Sequence, residues 1–230
     1  MGGGGFSMEP DNLLLDEFIL SLARSPRPRV CLVPTASGDP EGYVARFYRA
    51  FAGLACRPAD LQLFPRMVDD LESFVLAQDV IYVGGGSTAN LLAVWRVHGL
   101  DRILRSAWEQ GVVLCGLSAG MNCWFAESVT DSFSPSELAP LRDGLGLLPG
   151  SACPHYDSVE QERRPAFTQM VAAGELADGY AADDGAALVF AGTSLEQVVT
   201  SRPHARAFRV ERTDDGGATE HVLPARYLGA

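Results

Sequence analysis

Gly116-Leu117-Ser118-Ala119-Gly120 is the stretch of this chain best suited to covalent chemistry. A serine on a tight turn between a strand and a helix has its hydroxyl pushed outward. The amide of the next residue, here Ala119, then points to where an oxyanion would form. The flanks fit this context. Val112-Val113-Leu114-Cys115 is a short apolar run of the kind a buried parallel strand shows. Met121 to Phe125 resumes an apolar pattern that can open a helix. A serine hydroxyl needs a base to take its proton. Of the four histidines, His98 reads as surface at a helix end, and His204 and His221 lie among charged residues. His155 sits in a loop between Cys153-Pro154 and Tyr156-Asp157 and is the best base. A carboxylate must then hold the imidazole tautomer and offset its charge. Glu127, Asp131, Asp143 and Asp157 are the candidates, and the residues alone leave the choice open.

Elements that could position these groups alternate along the chain. The pattern predicts a helix over Asn12 to Ala23, a strand over Arg29 to Pro34 and a helix over Glu41 to Ala52. A strand over Leu61 to Phe64, a helix over Met67 to Ala77 and a strand over Asp79 to Val83 follow. Helices over Ala89 to His98 and Asp101 to Gln110 lead into the elbow strand. This alternation predicts an α/β domain with a parallel sheet and helices on both faces. Ligands in such sheets sit outside the carboxyl ends of the strands. Thr35 to Asp39, Gly84 to Thr88 and Gly116 to Gly120 all fall at such ends and are expected to converge on one crevice. Ala126 to Gly150 reads as less regular. Asp183-Asp184-Gly185 is a turn signal, and strands are expected over Ala205 to Glu211 and His221 to Leu223. No repeat or linker divides residues 1–230, so a single domain is expected. The opening run Gly2 to Gly5 has no strand in front of it. Either that strand lies before Met1, or the run is a flexible terminus.

Composition narrows the partners. The 18 Lys plus Arg against 29 Asp plus Glu give a net charge of −11, which disfavours nucleic acid and anionic membranes as partners. No apolar run approaches the roughly 18 residues of a membrane span, and no secretory leader is legible. The five cysteines lack C-x-x-C spacing, which points to reduced core thiols in a cytoplasmic protein and away from zinc.

Taken together, GGGS at Gly84 to Ser87, GLSAG, TDSF at Thr130 to Phe133 and LLPGSACPHYD at Leu147 to Asp157 resemble the peptidase S51 family. GGGGFSMEP and PTASGD at Pro34 to Asp39 resemble its peptidase E-like branch. The resemblance covers nearly the whole chain. It implies a three-layer α/β sandwich with a mostly parallel sheet, similar to class I glutamine amidotransferases and flavodoxin-like. It implies a serine peptidase acting on dipeptides or short peptides, with an N-terminal aspartate as first expectation. Ser118 matches the family's nucleophile and His155 its base. Asp131 is the nearest match to its acid, with Glu127 and Asp157 as rivals. The oxyanion donors would be the amides of Gly86 and Ala119. No metal or cofactor is implied, and a homodimer is. Arg46, Arg49, Arg163 and Arg164 could bind an acidic side chain. Ser87 stands where peptidase E carries asparagine, and Cys-Pro-His replaces Asn-Pro-His. Other specificities therefore stay open, a cyanophycinase-like or acyl hydrolase among them, as does a non-catalytic anion-binding module.

Overall fold

The computed structural model describes residues 1–229. Its first sheet holds β1 (Arg29–Val33), β2 (Arg57–Asp60), β3 (Val80–Val83) and β4 (Val113–Gly116) in the parallel order β2-β1-β3-β4. Strand residues alternate between faces, and both faces here are apolar, so both need cover. Val30, Leu32, Val80 and Tyr82 pack with residues of α2 (Leu14–Ser21) and α3 (Glu41–Phe51), including Leu15, Phe47 and Phe51. Cys31, Val33, Ile81 and Val83 pack with residues of α4 (Leu71–Leu76), α5 (Thr88–His98) and α6 (Leu100–Glu109), including Val75, Trp95 and Leu104. Helices this short are marginal alone, so their packed faces hold them. Ser87 caps α5 by accepting from the Asn90 N–H at 3.3 Å.

The expected strand at Leu61 to Phe64 lies earlier, at Arg57–Asp60. Leu61 and Leu63 are buried just past the ladder, and their burial mimics a strand pattern. The stretch expected to be irregular contains three strand segments among its loops. It carries β5 (Phe125–Thr130), β6 (Ala139–Leu141) and the start of β7 (Leu148–Cys153). Buried polar residues in these strands, Ser128, Thr130 and Ser151, break the apolar pattern that marks a strand in sequence. A further helix, α8 (Arg163–Ala172), starts with Arg-Arg-Pro, and Pro165 in its first turn hides it from propensity. With β8 (Gly179–Ala182), β11 (Ala207–Arg212) and β12 (Ala218–Val222), these strands form a mixed sheet of order β12-β11-β8-β7-β5-β6. A third sheet has the order β13-β10-β9, from β9 (Ala186–Ala191), β10 (Ser194–Thr200) and β13 (Ala225–Tyr227). All five cysteines are free, and four are buried.

The opening glycine run is not a loose end. Met1 to Gly5 are buried, and Gly2 N–H donates to the Ala186 carbonyl at 3.0 Å. The segment that follows rests on a buried acid. Asp16 is 0 % exposed, and its Oδ2 accepts from the Phe6 N–H at 2.8 Å. Burial, opposed in part by that bond, raises the Asp16 carboxyl to about 7. The unfolded chain releases this proton near pH 4, about the ordinary aspartate value. Between these values the folded state holds more protons than the unfolded one. Stability is therefore full below about pH 4, falls as pH rises toward 7, and stays lower above it. Each unit of pKa difference is worth about 1.4 kcal/mol. Asp16→Asn keeps an acceptor for Phe6 and removes this slope. The buried Met1 amine, lowered to about 6, adds stability as pH rises from about 6 to 8, so the variant is the reference. Between about pH 5 and pH 8 in urea, the parent should lose about 2–3 kcal/mol relative to Asp16→Asn.

Candidate active site

The loop between β4 and α7 (Ala119–Asn122) carries Ser118 at φ 56° and ψ −116°, a conformation an L-residue holds only when its surroundings enforce it. Backbone bonds supply the enforcement. Ser118 N–H donates to the Met1 carbonyl at 3.3 Å, and its own carbonyl accepts from Met121 and Asn122 at 2.8 and 3.0 Å. The helix begins at Ala119, two residues before the expected Met121, and Phe125 already opens β5.

His155 follows β7, also at positive φ, 53°. Its Nδ1 lies 2.6 Å from Asp184 Oδ1. Asp184 is in the turn between β8 and β9, and the parallel pairing of β7 with β8 brings that turn beside His155. The two side chains are 17 % and 21 % exposed, so water competes little for their contact. Burial alone would push the Asp184 carboxyl up. The hydrogen bond from His155, with the positive charge of Arg202 and Arg163 nearby, outweighs it and holds the carboxyl below the usual range.

None of the carboxylates expected from sequence touches the His155 ring. Asp131 Oδ2 instead accepts from Arg163 at 2.8 Å. Glu127 Oε2 accepts from the Ala177 N–H at 2.7 Å. Asp143 pairs with Arg96 on the surface. Asp157 comes nearest, since its Oδ1 accepts from the Asp184 N–H at 2.9 Å and so holds the backbone of the acid itself. The Asp-Asp-Gly turn was a legible signal, but it reads as a hairpin. Its position at the carboxyl end of a strand is the clue that places it with the other site loops. The preceding Asp183 turns away and accepts from the Arg206 N–H.

Ser118, His155, Asp184, Gly86, Asp131 and Arg163 all line one cleft of about 550 Å³. Gly86 sits at φ 137°, where a Cβ would fall 2.2 Å from the Ala36 carbonyl oxygen. The N–H groups of Gly86 and Ala119 have no acceptor among the described residues. A Cβ at neighbouring Gly85 would lie 3.3 Å from the Ser118 Cβ, so the glycine loop borders the serine. Acyl transfer needs such parts: a serine, an imidazole with a carboxylate on its other nitrogen, and amides without an acceptor, around one cleft. Of the expected arginines, Arg46 and Arg49 are exposed on α3, and Arg164 pairs with Glu220. Arg163 is 3 % exposed and also donates to Gln161 Oε1 at 2.6 Å.

Gly3 runs directly beneath the His155–Asp184 pair. A Cβ there would fall 2.1 Å from Asp184 Oδ1 and 2.9 Å from His155 Cε1. Gly3→Ala must therefore displace one or both groups. Its kcat should drop about 100-fold with little change in KM, since displacements near 1 Å have that effect. Steady-state kinetics on protein whose thermal unfolding is checked in parallel measures it.

Known proteins resemble this chain in sequence and in fold. The model of peptidase family S51 matches residues 1–198. The chain is 55 % identical over 229 residues to the "Uncharacterized peptidase YgaJ" of Bacillus subtilis (strain 168), covering 100 % of this chain and 97 % of that protein. It is 30 % identical over 120 residues to the "Peptidase E" of Pasteurella multocida, covering 50 % of this chain and 51 % of that one. A crystal structure of a peptidase from an acI-B1 Actinobacterium superposes with a TM-score of 0.74 at 19 % identity, over 98 % of this chain and 92 % of that one. That likeness shows the α/β fold with its mostly parallel sheets.

Proposed function

Because this chain belongs to peptidase family S51, we propose that it is a serine exopeptidase acting on dipeptides or short peptides, with Ser118, His155 and Asp184 as its triad. The observation that carries this reading is the 2.6 Å contact of His155 Nδ1 with Asp184 in the cleft that also holds Ser118. Asp184 fixes the proton on Nδ1 and leaves Nε2 free to act as base. His155 takes the Ser118 proton as Oγ attacks the peptide carbonyl. The amides of Gly86 and Ala119 stabilise the tetrahedral oxyanion. His155 then protonates the leaving amine, and water hydrolyses the acyl-enzyme by the same route. Asp131, expected as the acid, takes a different part here: it pairs with Arg163 and positions it.

Arg163 supports an N-terminal aspartate as the preferred residue, being the arginine among the expected four that lines the cleft. The reduced, unpaired cysteines suit a cytoplasmic setting. A panel of Asp-Xaa, Ala-Xaa and Lys-Xaa dipeptides, a β-aspartyl-arginine isopeptide and a simple ester tests the assignment. The expected result is cleavage of Asp-Xaa with kcat/KM at least about 10-fold above Ala-Xaa, a loss of that ratio in Arg163→Gln, and persistent reaction of that variant with a serine-directed probe. Preference for the ester or the isopeptide overturns the dipeptidase reading.

A further inference from the structure

The turn that carries Asp184 is held by groups outside the cleft. Gly185 follows Asp184, and its carbonyl accepts from the Ser201 N–H at 2.8 Å. From the same turn after β10, Arg202 lays its side chain on that glycine. A Cβ at Gly185 would fall 2.8 Å from Arg202 Cγ and 3.0 Å from its Cδ. Glu9 fixes the arginine in this place. Arg202 Nε donates to Glu9 Oε1 at 2.7 Å, and Ser201 Oγ donates to Glu9 Oε2 at 3.2 Å. Asn12 Nδ2 adds a bond to the Ser201 carbonyl at 3.1 Å. The Glu9 side chain is 14 % exposed, and a carboxylate that far from water is costly unless it is paired. Arg202 is its partner.

Arg202 is not among the residues that line the cleft. Among the described residues it makes no ion pair with Asp184. It therefore reaches the triad in two indirect ways, through the Gly185 backbone and through its charge. The cations of Arg202 and Arg163 both favour the ionised Asp184 carboxylate. The other charged groups around the His155–Asp184 pair are Asp157, which holds the Asp184 N–H, and Asp131 and Glu160 on the cleft wall. Asp183 is turned to the Arg206 backbone.

We propose that Arg202, anchored by Glu9, is a positioning residue of the triad: its stem seats the turn that carries Asp184, and its charge keeps that carboxylate an acceptor for His155 while opposing a second positive charge on the imidazole. This rests on the triad assigned under the proposed function. The arginine touches neither substrate nor reacting atoms, so its effect belongs to turnover and its pH dependence rather than to binding.

The test compares Arg202→Gln with Arg202→Lys in the full chain. Both keep atoms at the γ and δ positions that rest on Gly185, and only lysine keeps the charge. A single guanidinium nitrogen has an acceptor, so the planar fork is not needed and lysine can serve. In Arg202→Gln, kcat should fall about 10-fold with KM within about 2-fold of the parent. The acid limb of kcat/KM should move to higher pH by about 0.5 unit or more, because a cation that opposed protonation of the pair is gone. That displacement should shrink at high salt. Arg202→Lys should return the limb to its place in the parent. The Met1 amine, lowered to about 6 by burial, titrates in this range but is the same in all three proteins. The second readout needs no activity. The Nδ1 proton of His155, assigned in the NMR spectrum by its absence in Asp184→Asn, should exchange with water at least about 10-fold faster in Arg202→Gln than in the parent or Arg202→Lys. The proposal is overturned if limb and proton in Arg202→Gln match the parent. It is also overturned if the two variants fall alike, since a brace made by the stem alone does not depend on charge. A parent that cleaves no peptide, yet shows the proton difference, refutes the peptidase reading and supports this one.

Discussion

Asp184→Asn should lower kcat by about 10⁴-fold while leaving the fold intact. The carboxylate accepts from His155 Nδ1 at 2.6 Å. An asparagine amide at that place can donate to Nδ1, which selects the opposite tautomer and puts a proton on the nitrogen that must act as base. The side chain is about the same size, and its neighbours Gly3 and Asp157 contact it without needing its charge. Asp131→Asn makes the contrast. It weakens the partner of Arg163, a cation only 3 % exposed, so it should raise KM for acidic peptides and lower the melting temperature. Its effect on kcat should stay well below that of Asp184→Asn. Steady-state kinetics on the two variants side by side decides the matter. If Asp131→Asn abolishes turnover and Asp184→Asn does not, the acid has been assigned to the wrong residue.

Ser118→Ala should remove turnover almost completely, with kcat down by about 10⁶-fold, the scale seen when a triad nucleophile is lost. Stability should hardly change. The backbone strain at φ 56° remains in alanine, and the bonds that enforce it come from the Ser118 amide and carbonyl rather than the hydroxyl. Peptide binding should persist, because the arginine and the free amides are untouched. Calorimetric titration of the inactive variant with an Asp-Xaa dipeptide should therefore still give a binding isotherm. Residual turnover within about 100-fold of the parent would mean that another group attacks the carbonyl.

The parts of this site legible in sequence were the local ones. The elbow is a strand, a pentapeptide and a helix in direct succession, so its geometry follows from neighbours. His155 stood out by elimination among four histidines. Asp184 did not, because it meets His155 across 29 residues of chain, through parallel pairing of two strands that carry polar and small residues. The Asp-Asp-Gly turn also offers two acids of equal appearance, and only the fold turns Asp183 to the Arg206 backbone and Asp184 to the imidazole. The glycine run misled for a related reason. Glycines in a row suggest flexibility, but here Gly3 is small because two side chains of the site lie against it. Three strands of the first sheet, β1, β3 and β4, were read well because they stand out as apolar runs, whereas β2, Arg-Pro-Ala-Asp, carries no such run and was expected a few residues late. In the mixed sheet the expected strand at Ala205 to Glu211 matches β11, but β5 and β7 were missed because Ser128, Thr130 and Ser151 are buried within them.

The most direct test of the account is the mass of the protein after reaction with a fluorophosphonate, followed by peptide mapping. The account predicts one phosphonyl group per chain, on Ser118, formed far more slowly in Asp184→Asn and not at all in Ser118→Ala. A folded protein that takes up no label, or carries it on another residue, contradicts it.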